Sequence, residues 1–203
     1  MNSGLKSLQG AFLSGRKAGN FQMGNSKRLF VGIELPPDCK AALRDLDPHL
    51  AGLRWMPGAQ LHLTLSFLGD VEFSRQDILA QTLKDVRVPP FFLPLQDVGS
   101  FNARGRPSVV WVGVGKGHPH LFALHRHIQD AALRARLEPD LKPFQPHVTV
   151  ARAKGISRQA LQPFLRKHRD MEFGIFRVTE FTLFSSVLAP EGATHTVELR
   201  VAL

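Results

Sequence analysis

"LHLTLSFLG", residues 61–69, reads as a β-strand, because a strand sends alternate side chains to opposite faces. Leu61, Leu63, Leu65 and Phe67 form one apolar face on this reading, and His62, Thr64 and Ser66 form the other. His62 and Thr64 then share a face, ~6.5–7 Å apart along the strand. The pattern predicts a strand with one face on a core and the other open to water, as antiparallel sheets allow.

A second copy follows at residues 147–155, "HVTVARAKG". Val148 and Val150 point one way; His147, Thr149 and Ala151 point the other. "WMPGAQ" precedes the first element and "PFQP" the second. Such a pair indicates a weak internal duplication, with one His-x-Thr strand in each of two lobes.

The rest of the chain supplies the surroundings. "RLFVGIEL" is a strand closed by Pro36-Pro37, and residues 38–50, 74–86, 119–137 and 157–169 have helical patterning. "FFLPLQDVGSF" and "PSVVWVGVG" are strands around the turn "NARGR"; "FRVTEFTLFSSVL" and "THTVELRVAL" are read as two closing strands around "APEG". Strands joined by short turns and mixed with amphipathic helices predict an α+β fold with mostly antiparallel sheets.

The bulk numbers narrow the function. At 203 residues there is room for one bilobal domain, read here as 27–203. Residues 1–26 carry Gly, Ser and Asn, three basic residues and no acid, and are read as a disordered leader or extension, with a transit peptide as the sharper alternative. No apolar run approaches the ~20 residues that cross a bilayer. Cys39 is the single cysteine, which rules out an internal disulfide, makes a cysteine zinc site unfavourable, and fits a reducing, cytoplasmic setting. The charge of +9 favours anionic partners such as nucleic acid or nucleotides.

Two imidazoles suit one kind of chemistry. Histidine titrates near pH 6.5, so around neutrality one ring accepts a proton while another donates one. Phosphodiester cleavage needs both, at the nucleophile and at the leaving oxygen. Thr64 and Thr149 offer hydroxyl donors to the non-bridging oxygens, and Arg152 a cationic clamp. The scheme needs no metal and no cofactor.

Other motifs have plainer readings. His118, His120, His125 and His127 crowd "HPHLFALHRH", but without i,i+4 pairs or nearby acids they read as a solvated helix start and face rather than a metal site. "GVGKG" (113–117) lacks Rossmann or Walker spacing and reads as a strand-to-helix turn. "LRKHRD" (165–170) reads as a helix terminus whose basic groups face water, with RNA phosphates the sharper option. Trp55 and Trp111 read as packing residues, whereas Phe144, three residues before His147, is a candidate substrate contact.

Taken together, "HLTL" followed by "FLG", "PFQPHVTVAR", "RLFVGIELP", "RPSVVWVGV" and "LFSSVLAPEGATHTVEL" resemble the two-histidine (2H) phosphoesterase superfamily. The resemblance is to its RNA 2',3'-cyclic phosphodiesterase family, formerly 2'-5' RNA ligase, from about Arg28 to the C-terminus. His195 stands where that family often has Tyr, and Val150 where Leu is commoner. The resemblance implies a bilobal, pseudo-twofold fold with sheets facing a central groove and helices outside. It also implies hydrolysis of an RNA 2',3'-cyclic phosphate to a 2'-phosphate, with His147 as base on water and His62 as acid on the 3'-oxygen, and reversible 2'-5' ligation in related enzymes. The residues alone leave the two roles open, because the motifs are near-symmetric. The expected partners are RNA with cyclic phosphate ends or small cyclic nucleotides, acted on by a monomer away from any membrane. The alternatives are a 2H phosphoesterase for another nucleotide or ADP-ribose cyclic phosphate, and a non-catalytic RNA-binding module.

Overall fold

A computed structural model describes residues 25–138, 142–190 and 192–203; the predicted leader lies outside these apart from its last two residues. Among the described residues, nine strands run in chain order: β1 (Ser26–Glu34), β2 (Leu53–Trp55), β3 (His62–Glu72), β4 (Phe91–Ala103), β5 (Arg106–Gly113), β6 (His147–Ala153), β7 (Glu172–Val178), β8 (Glu180–Ala189) and β9 (Gly192–Ala202). The helices are α1 (Pro37–Arg44), α2 (Phe73–Lys84), α3 (Pro119–Arg134) and α4 (Arg158–Lys167). The fold is α+β, as expected, and every pairing between named strands is antiparallel.

The strand order is β7-β4-β5-β6-β3-β1-β8-β9, with β2 on β6. Each half has four strands on this path, and the two halves meet edge to edge at β6 and β3. That junction is a single register pair, Leu63 with Val148. The two lobes are therefore halves of one continuous sheet, and the His-x-Thr strands are its innermost pair. Leu63, Leu65, Val148 and Val150 are almost completely buried on the core face.

The helices cover that core face. In α3, Leu121, Leu124, Ile128, Ala131 and Ala132 are buried at helical spacing. Thr82 Oγ1 of α2 donates to the Ala131 carbonyl of α3. On the other half, Trp55 donates its indole N–H to the Leu43 carbonyl of α1 and meets Phe164 of α4 edge-on, so its packing role holds.

Two expectations fail for a shared reason. Phe67 is 58 % exposed and Ser66 only 3 %, the reverse of simple alternation. On β1, Gly32 pairs with Thr64 and Val31 with Ser66, which leaves Leu65 as an extra, bulged residue. A bulge reverses the facing of everything after it. In β6, Trp111 pairs with Thr149 and Val110 with Ala151, leaving Val150 as the extra residue. Ala151 is consequently fully buried, not on the His147 face, and Arg152 takes the exposed position. Both motifs carry the same bulge at the same place.

The run "FRVTEFTLFSSVL" is also not one strand. It breaks at Thr179: β7 pairs with β4 at one edge of the sheet, while β8 pairs with β1 in the other half. Buried Phe176 and Val178 are followed by buried Phe181 and Leu183, so the alternation slips by one residue at the break.

Candidate active site

The Leu63–Val148 pair acts as a local twofold point. Extending its register by one residue each way places His62 opposite Thr149 and Thr64 opposite His147. All four side chains are on the face away from the core and partly exposed. The structure thus brings together the two motifs that the sequence keeps far apart.

Each ring is oriented by a carbonyl two residues earlier. His147 Nδ1–H donates to the Gln145 carbonyl at 2.6 Å. His62 donates to the Gln60 carbonyl. In His147 the bond fixes the tautomer and leaves Nε2 for a substrate. The shared Gln-x-His spacing was legible in the sequence as a second layer of the duplication.

The surroundings of the two rings differ. His147 meets Phe101 edge-on at 4.8 Å, with the Trp111 ring at 6.4 Å. His62 packs on Phe30 at 4.8 Å and meets His195 edge-on at 5.3 Å. Burial, then the neighbouring His195, push His62 down to about 4; Lys40 and His147 act the same way, and the Gln60 carbonyl opposes them. His147 is lowered by burial and, more weakly, by Arg152, with the Gln145 carbonyl opposing. His195 is lowered by burial, and its Nδ1 is buried without a hydrogen-bond partner.

Aromatic side chains line the groove beside His147. A cavity of about 430 Å³ is bordered by Thr64, Phe67, Phe101, His125, Phe144 and His147. A second, of about 380 Å³, lies between Trp111, Phe122, Phe144 and His147. Phe144 stands between the two, as its position before His147 suggested. It stacks on His125 with ring centres 4.0 Å apart and planes 3° from parallel, and His125 Nδ1–H donates to the Leu65 carbonyl.

His125 is therefore a groove residue, not part of a solvated face. Of its histidine cluster, His118 caps α3 by accepting from the His120 N–H and stacks on Phe91. Among the described residues, no group of three or more His, Cys, Asp or Glu is placed to hold a metal. Trp111 also departs from its packing role: its ring lies over Gly99, on the groove face, where any larger residue would overlap it. "LRKHRD" ends α4 and does not face water throughout: His168 is buried and donates to the Phe164 carbonyl, while Arg166 and Arg169 border a cavity between α4 and β4. "GVGKG" is the expected turn from β5 to α3, with Gly115 and Gly117 at positive φ. No described helix is long and apolar enough to cross a membrane.

Comparison with known proteins shows the family. The family model of the 2'-5' RNA ligase superfamily matches residues 28–188. An Aquifex aeolicus protein named RNA 2',3'-cyclic phosphodiesterase is 32 % identical over 157 residues, covering 76 % of this chain and 83 % of that one. The Escherichia coli protein of the same name is 30 % identical over 188 residues, covering 89 % and 99 %. Two solved structures of E. coli LigT are also similar, each covering 88 % of this chain and 98 % of that one. The apo form has a TM-score of 0.73 at 29 % identity, and the complex with 3'-AMP 0.72 at 30 %. The chain belongs to the 2'-5' RNA ligase superfamily, the two-histidine phosphoesterases that its paired motifs resemble.

Proposed function

We propose that this chain hydrolyses RNA 2',3'-cyclic phosphate ends to 2'-phosphate ends, using two histidines and no metal. Water attacks phosphorus and gives its proton to Nε2 of His147. The P–O3' bond breaks, and His62 delivers a proton to the departing 3'-oxygen. The products are a 2'-phosphomonoester and a free 3'-hydroxyl. The single observation that carries this reading is the adjacent placement of two equally bulged His-x-Thr strands on one face.

That placement lets one imidazole serve each side of a phosphorus atom, as in-line displacement requires. Thr64 and Thr149 donate to the non-bridging oxygens as negative charge grows on them. The β6 bulge turns Arg152 to the same face, where its charge already acts on His147. Phe144, held by its stack on His125, offers an apolar platform for the terminal base. A 5'-hydroxyl in place of water would yield a 2'-5' linkage by the same proton transfers.

The roles follow the family resemblance and fit the asymmetry of the groove. Burial and His195 make His62 the more acidic ring, suited to giving up a proton. The groove is built within one chain, so a monomer suffices, and residues 27–203 act as one bilobal unit after the leader. The relatives' names favour RNA ends, and the 3'-AMP complex of E. coli LigT favours small nucleotides as well.

The test is an oligonucleotide ending in a 2',3'-cyclic phosphate, with the products analysed for which hydroxyl keeps the phosphate. A 2'-phosphate product formed in the presence of EDTA is expected. Binding without turnover would leave only an RNA-binding module, and a 3'-phosphate product would reverse the assignment of the leaving oxygen.

A further inference from the structure

The Arg152 guanidinium has a neighbour that the proposed chemistry does not use. On β2, Arg54 is the direct register partner of Arg152, flanked by Leu53 opposite Ala153 and Trp55 opposite Ala151. Leu53, Trp55 and Ala153 pack against the core, and Ala151 lies within it. Arg54 and Arg152 therefore share the opposite face, the one that carries His147 and Thr149, and both are exposed. Like charges placed directly opposite on a sheet repel.

The cationic row continues outward. Lys154 is exposed, and its backbone N–H still bonds to the Gly52 carbonyl. It follows Ala153, the last residue of β6, and is two residues beyond Arg152. In the other direction, the Arg54 guanidinium nitrogens come within 3.8 Å of where a Gly192 Cβ would sit, at the β8–β9 hairpin. The Gln60 side chain donates to the Ala193 carbonyl of the same hairpin. Arg54 thus stands between the proposed scissile-phosphate clamp, Arg152, and the β8–β9 hairpin, whose His195 packs on His62.

We infer that Arg54, with Lys154 beside it, forms a second phosphate subsite that holds the phosphodiester preceding the terminal nucleotide of an RNA chain. The inference rests on the reading under Proposed function and adds a substrate class: polymer ends in preference to cyclic mononucleotides. A cyclic mononucleotide fills the catalytic groove and the aromatic side alone. An oligomer adds a phosphate that reaches Arg54.

The test compares kcat/KM on a 2',3'-cyclic mononucleotide with kcat/KM on a short oligonucleotide carrying the same terminal cyclic phosphate. The proteins are the full chain, Arg54→Ala, Arg54→Lys and Lys154→Ala, each first checked for folding by circular dichroism. Arg54→Ala is expected to lose at least ~10-fold more on the oligonucleotide than on the mononucleotide, with Arg54→Lys recovering part of the difference. The salt slope of oligonucleotide kcat/KM should flatten by ~0.7 in Arg54→Ala, as loss of one single-strand phosphate contact dictates. Equal losses on both substrates, or no loss on either, would overturn the subsite while leaving the hydrolase reading intact. Failure of the unmodified chain on both substrates would overturn that reading and this subsite with it.

Discussion

The pH dependence of turnover tests the proton chemistry most sharply. The perturbation is pH itself. His62 is held near 4, first by burial and then by His195. At pH 7 this leaves roughly one His62 in a thousand protonated in the free enzyme. His147 is also lowered from its usual 6.5. The productive form has His62 charged and His147 neutral, so kcat/KM should be level between about pH 4 and the lowered value of His147. Above that it should fall tenfold per unit, or ~100-fold between pH 6.5 and 8.5. A bound phosphate anion favours charged imidazoles, so the kcat profile should lie to the alkaline side of kcat/KM. The assay is steady-state hydrolysis of a 2',3'-cyclic mononucleotide from pH 4 to 9 at constant ionic strength. Because the rings interact, the limbs belong to the pair. His195→Phe removes the second cause of the depression and should move the lower limb to higher pH. A kcat/KM that stays flat or rises from pH 6.5 to 8.5 would refute the assignment of His62 as the proton donor.

His62→Ala and His147→Ala should each lower kcat by 10² or more with unchanged circular dichroism; near-normal turnover in either variant counts against the pair. The depressed value of His62 also affects stability. Its contribution is present above pH 6.5 and is lost as pH falls through 4. The difference in unfolding free energy between the parent chain and His62→Gln, measured in urea, should therefore shrink by about 3 kcal/mol from pH 7.5 to 3.5. Gly99→Ala places a methyl group inside the Trp111 indole, so it should cost about 1–3 kcal/mol and disturb activity through Phe101 and His147, with thermal melting and kcat as readouts. Thr149→Val should lower kcat by ~10–100-fold without shifting the pH limbs, since it removes a phosphate donor and no proton carrier.

Much of this site was readable from one dimension. His62 and His147 are the first residues of their strands, and alternation alone put Thr64 and Thr149 on their side. The Gln two residues before each histidine was in plain view, although only the folded backbone shows its carbonyl receiving the ring N–H. His125 was misread because a helix position says nothing about the loop residue it meets. The stack with Phe144 joins α3 to the segment before β6.

The local pattern of apolar and polar residues determined that these segments are strands, that each has a core face, and that two of them carry the same chemistry. Such information is short-range, since side-chain facing is set by the backbone period. What the tertiary structure alone decided is where alternation stops. Bulges at Leu65 and Val150 depend on how β1 and β5 pair alongside, and pairing is a property of neighbours far along the chain. Those two extra residues bury Ala151, release Phe67 and turn Arg152 toward the phosphate face. The single Leu63–Val148 contact then makes two separate half-sites into one.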